Sequence, residues 1–129
     1  MDVEKILDAL KAQQDEYSKT VWQTMGVIMI ALGWIISTTQ SRTYLHNEDL
    51  VRNGAITVIL IMAGMHFLSL TKLYKASSII MQSCEFSDSL TRSIASSYEI
   101  KFIYVLASCV INGALFALLA ITLMHVGQS

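Results

Sequence analysis

Of the chain's 129 residues, 53% are hydrophobic and only 15% are charged, and mean hydropathy is +0.51. A soluble domain averages about 25% charged residues, so this balance excludes most soluble classes and, with its high apolar content, intrinsic disorder. A formal net charge of −1 leaves no global basic field for nucleic acid. Proline is absent, where average usage of about 5% would supply roughly six. Such a chain favours long unbroken helices in one domain, residues 1–129. Two cysteines are too few for a disulfide framework.

The first twenty residues carry five acids and three lysines. Val3, Leu7, Leu10, Gln14, Tyr17 and Val21 recur at alternating spacings of four and three, a heptad stripe. Early acids (Asp2, Glu4, Asp8) suit a helix N-terminus. The stripe runs into the first apolar span, residues 21–38, so one helix is expected from about residue 3 to 38. A cleaved signal peptide is not expected, because the preceding segment is long and acidic rather than short and basic.

A short polar segment, residues 39–53, follows and reads as a loop, with Asn47 able to cap the next helix. The second span covers residues 55–71. Leu73, Ala76 and Ile80 extend it, and Cys84–Ser89 (CEFSDS) is the turn signal, with Ser87 or Asp88 as the next cap. Leu90, Ile94 and Tyr98 then lead into the third span, residues 102–126. None of the three spans contains Asp, Glu, Lys or Arg, and each reaches the ~17–25 residues that a membrane crossing requires. The fold class expected is therefore an all-α, three-span membrane bundle. Helical extensions 3–20 and 72–101 would continue it on one side, with Val3, Leu7, Leu10 and Tyr17 packing against Leu73, Ile80, Leu90 and Ile94.

Orientation follows from the basic residues. Lys5, Lys11, Lys19, Lys72, Lys75, Arg92 and Lys101 lie on one side, and only Arg42 and Arg52 on the other. Basic residues favour the cytoplasm, which puts the N-terminus inside and the C-terminus outside. A bacterial inner membrane is the default location.

Within the spans, small residues permit close helix approach and polar ones bond between helices. Gly26 and Gly33 share a face of the first helix, Thr57 and Gly64 one of the second, and Gly113 and Ala117 one of the third. These faces would pack within the monomer or build a homo-oligomer. Asn112 lies near mid-span and needs a partner, either within its own bundle or as a ring lining a polar path between copies. His66 and Ser108 fall at one depth on adjacent helices and are expected to pair.

Nothing catalytic emerges. There is no nucleophile elbow, P-loop, paired zinc histidines or dinucleotide turn, so no catalytic residue, cofactor or metal ligand is assigned. The expected role is a non-enzymatic accessory or scaffold subunit whose cytoplasmic helices dock another protein or a second copy. One alternative is a homo-oligomeric pore or membrane-perturbing effector of the toxin, lysis or defence type. A third is a haem-bearing respiratory anchor subunit with His66 as ligand, although no matching arginine and serine pair for a quinone occurs on the first span.

Overall fold

The computed structural model describes residues 2–128. Five helices follow in order: α1 (Val3–Ser37), α2 (Thr39–Asn47), α3 (Asp49–Ser83), α4 (Ser89–Tyr98) and α5 (Phe102–Gln128). No strand occurs among the described residues. Three helical stretches are long and apolar enough to cross a membrane: α1, α3, and α4 with α5.

Local chemistry explains the starts and stops. Asp2 Oδ1 accepts from Glu4 N at 3.4 Å and Asp88 Oδ1 from Leu90 N at 3.0 Å, supplying acceptors for orphan N–H groups. Hydroxyls within the long helices turn back on their own backbone. Thr57, Thr71 and Thr122 each donate to the carbonyl four residues earlier at 2.7–2.9 Å, which satisfies them on apolar faces without a partner helix.

The long helices α1, α3 and α5 pack pairwise into a bundle, with α2 across one end and α4 against α1 at the other. Its core has three sections. At the α2 end, Ile28, Leu32 and Ile35 of α1 meet Leu45 and the α5 residues Phe116, Leu119, Leu123 and Val126. In the middle, Tyr17, Leu70, Ile100 and Val105 cluster. At the α4 end, Ile6 and Leu10 enclose Ala95.

Four sequence expectations are corrected. Residues 39–53 are not a loop: α2 forms there, Asn47 is its last residue, and Glu48 precedes α3. Arginines hold this compact cap. Arg42 donates to the α1 carbonyls of Ile35 and Ile36, and Arg52 to the α2 carbonyls of Leu45 (2.9 Å) and His46 (3.2 Å). Both therefore serve carbonyls left over at helix C-termini.

The third helix does not run continuously from Leu90. It breaks at residues 99–101, where the buried Ile100 N–H donates to Ser77 Oγ at 2.9 Å. The buried stripe at the start of α1 is Ile6, Leu10 and Tyr17; Val3 is exposed and Leu7 half-buried. Val3 is the first residue of α1, one turn before Ile6, where the core section begins. Finally, Leu90 (65% exposed) and Ile94 (42% exposed) do not join that core. The face of α4 turned inward carries Ala95.

Candidate functional site

The bundle interior changes character along its length. Aliphatic side chains and Phe116 build the α2-end section, and the polar side chains that bond α1, α3 and α5 together collect below it in two layers. Tyr17, Thr24 and Ile28 come from the inward stripe of α1; Ser108 and Asn112 lie one turn apart on α5; His66 faces them from α3.

In the layer nearer the α4 end, the Tyr17 hydroxyl lies 2.9 Å from the Tyr104 carbonyl and 2.7 Å from Ser108 Oγ. A phenol has one proton, so it donates to one of these oxygens and its own oxygen remains free to accept from the serine hydroxyl. Thr24 lies seven residues beyond Tyr17, roughly 10 Å along the axis, and opens the second layer. Its Oγ1 is 3.1 Å from His66 Nδ1, and Asn112 Nδ2 is 2.8 Å from His66 Nε2. An amide N–H only donates, so Nε2 accepts and Nδ1 carries the proton toward Thr24. One neutral imidazole thus bonds α1, α3 and α5 together.

The histidine is also enclosed by rings. Its centroid lies 5.6 Å from that of Phe67 and 6.0 Å from that of Phe116. Asn112 is fully buried, and among the described residues its Oδ1 has no hydrogen-bond partner. The amide is therefore half-satisfied, and that orphan acceptor, like Gln13 Oε1 toward the α4 end, carries a desolvation cost.

The expected pairing of His66 with Ser108 is replaced by two separate layers, because Asn112, one turn further along α5, reaches the imidazole first. Asn112 faces the axis of its own bundle, an orientation that does not present it to a neighbouring copy. Gly113 packs inside, where an added Cβ would sit 3.6 Å from Phe67 Cζ. Gly26, Gly33 and Gly64 do not pack against the other helices, since an added Cβ at each would meet nothing within 4 Å among the described residues. Sequence reasoning missed Thr24 and Ser77. The signal for Thr24 was its position in the repeat Leu10, Tyr17, Thr24, which seven-residue spacing keeps on one face.

Two grooves complete the surface. One, of about 350 Å³ between α1 and α3, is lined entirely by apolar side chains such as Val27, Trp34, Val58 and Met62. The other, of about 600 Å³ at the α3–α4 turn, is bordered by Cys84, Glu85, Phe86, Arg92 and Glu99. No cluster of three or more His, Cys, Asp or Glu suited to a metal occurs among the described residues.

Chemically, these layers can hold helices in register. The Ser108 hydroxyl is bonded to a tyrosine rather than to the imidazole, so the interior offers no serine–histidine nucleophile pair. The chain matches no family model, no curated protein and no solved structure.

Proposed function

We propose that this chain is a non-enzymatic integral membrane subunit that docks another protein through its cytoplasmic end. Crossing is supported by three long helices whose outward faces are apolar, including Ile30, Leu60, Val110 and Ile121. Contiguous apolar surface of that extent is unsuited to water. Seven of the nine basic residues lie toward the α4 end, which favours N-inside, C-outside insertion. The two at the α2 end cap carbonyls instead. A bacterial inner membrane remains the default location.

One observation carries the docking role. Leu90 and Ile94 stand one turn apart on α4 and are exposed, although α4 packs beside Leu10, a full eleven residues before the first span. That separation is about 16 Å at 1.5 Å per residue, which puts the pair in water rather than lipid. Two large aliphatic side chains held there on a rigid helix form a small anchor for a complementary apolar surface.

A pore through the bundle axis is the weaker reading, because Leu32, Phe116, Leu119 and Leu123 fill the interior toward the α2 end. A haem role is weaker too, since both ring nitrogens of His66 already have partners.

The test is site-specific photocrosslinking in cells, with a photoreactive phenylalanine analogue at position 90 or 94 and, as control, at Gln82. The expected result is one protein adduct of defined mass at 90 and 94 but not at 82. Lipid adducts at 90, or no adduct at either position, would refute docking at α4. Cysteine labelling at Gln40 and Ala12, in a Cys84→Ser, Cys109→Ala background, tests the orientation. Gln40 should label in intact cells and Ala12 only after permeabilisation; the reverse pattern overturns it.

A further inference from the structure

We infer that the outward face of α3 holds an anionic phospholipid from the leaflet nearer the α4 end, with its phosphate at Lys72 and Lys75 and one tail along Leu68, Met65 and Ile61. These five residues recur at alternating spacings of three and four, so they form one ridge, and all five are exposed. The three apolar members are 58–64% exposed.

The charge on this ridge is uncompensated. Residues 50–84 contain no Asp or Glu, whereas Lys5, Lys11, Lys19, Arg92 and Lys101 each have an acid within four positions along the chain. The fold supplies no counter-charge either: among the described residues neither Lys72 nor Lys75 has an ion pair or a hydrogen bond. At the other end of the bundle, Arg42 and Arg52 are already engaged by helix carbonyls. Two free ammonium groups one turn apart fit a ligand of net negative charge, and a phosphate can accept from both.

The two lysines also stand at the membrane boundary. Tyr74, between them in sequence, has its ring 6.1 Å from that of Phe102, the first residue of α5. Ser77 Oγ accepts from the Ile100 N–H just before that helix. From Lys72 to Ile61 the ridge rises about 16 Å at 1.5 Å per residue, which is about half of a ~30 Å hydrocarbon core. One tail of a single leaflet therefore follows the apolar part, while the flexible lysine stems keep their charges among the headgroups.

Other occupants answer this face less well. A second copy in the same orientation would bring lysine against lysine, and like charges repel. A zwitterionic lipid offers a phosphate but brings its own cation beside the pair. Two lysines near the surface favour an anionic headgroup about tenfold or more over a neutral one, and the preference falls as salt screens it.

This assignment rests on the membrane-crossing part of the proposed function but not on docking at α4. The test uses the full chain, with Cys84→Ser and Cys109→Ala, reconstituted in phosphatidylcholine vesicles. A bimane fluorophore is attached at Met65→Cys or, as control, at Val110→Cys, which is outward on α5 at a comparable depth, as the His66–Asn112 bond shows. Phosphatidylglycerol or phosphatidylcholine with brominated tails is the quencher. At Met65→Cys the brominated phosphatidylglycerol should match the quenching of brominated phosphatidylcholine at about one tenth of its mole fraction. At Val110→Cys the two should quench alike.

Lys72→Gln with Lys75→Gln should abolish the preference at Met65→Cys and leave the helical circular dichroism unchanged, since both side chains are exposed and unbonded. Equal quenching by the two lipids at Met65→Cys, the same preference at Val110→Cys, or a preference that survives the double substitution would overturn the lipid assignment alone. No quenching by either lipid at either position would refute the crossing as well. In cells, a photoreactive phenylalanine analogue at Leu68 should give a phospholipid adduct; a protein adduct there, a second copy included, would overturn the assignment.

Discussion

Asn112 provides the sharpest test of how the interior is held together. In Asn112→Leu the bond to His66 Nε2 disappears, a loss of about 0.5–1.5 kcal/mol in water-exposed references and about 0.6 kcal/mol between membrane helices. Nε2 is then a buried acceptor without a donor. Against this, the substitution deletes Oδ1, which already has no partner and costs about 1–3 kcal/mol as it stands. One orphan acceptor replaces another, and leucine is close to asparagine in shape. The net change should therefore lie within about 1 kcal/mol of zero, with the oligomeric state unaltered because the side chain faces its own bundle.

His66→Leu should behave differently. It leaves both ends of the Asn112 amide unpaired and removes the ring between Phe67 and Phe116, at a cost of about 2–4 kcal/mol. The double variant removes the orphaned amide as well and should recover at least about 1 kcal/mol of that loss. Reversible unfolding in mixed micelles with increasing dodecyl sulfate, followed by circular dichroism, measures all three. A loss above about 3 kcal/mol for Asn112→Leu alone would show that Oδ1 has a partner, and strict additivity in the pair would show that the two side chains do not interact; either result overturns the account.

Two further variants probe the other layers. Tyr17→Phe removes the contacts to Tyr104 O and Ser108 Oγ and should cost about 1 kcal/mol in the same assay. Ser108→Ala should cost less, and added to Tyr17→Phe it should cost almost nothing further; independent losses would mean the two hydroxyls do not share one bond. At the α2 end, a Cβ on Gly127 would lie 2.5 Å from Arg52 Cζ. Gly127→Ala should therefore dislodge Arg52 from the α2 carbonyls and speed proteolysis between residues 39 and 48, while Gly54→Ala, with nothing within 4 Å, should gain about 0.5–1 kcal/mol. Equal protease sensitivity in the two variants would remove Arg52 from the account of the cap.

The long helices were legible because their signals are extended. Absence of proline, charge-free spans and a cap at Asp88 accumulate over many residues, and an all-helical chain with three lengthy apolar helices follows from them. The short elements were not legible. Residues 39–53 look like a polar loop because α2 owes its stability to Arg42 and Arg52, which donate to carbonyls six or seven residues earlier in the chain. Composition registers those arginines only as charges. The break at residues 99–101 was hidden for a similar reason. Ile100 is apolar and continues a helical pattern, yet its N–H is taken by Ser77, twenty-three residues away, and no local rule reports a distant acceptor.

The interior shows the same division at finer scale. Depth counted along a helix put His66 level with Ser108, but depth alone does not say which face of α5 turns inward at that level. The heptad through Val105, Asn112 and Leu119 does, since all three are buried, and it brings Asn112 rather than Ser108 to the imidazole. The glycines follow from the same geometry. With Ile28, Leu32 and Ile35 facing inward on α1, Gly26 and Gly33 are turned outward. The bundle therefore closes on large side chains and polar layers on the α1 side, while Gly113 and Ala95 are the small residues it keeps inside. In a monomer those outward glycines only weaken α1, by about 1 kcal/mol each relative to alanine.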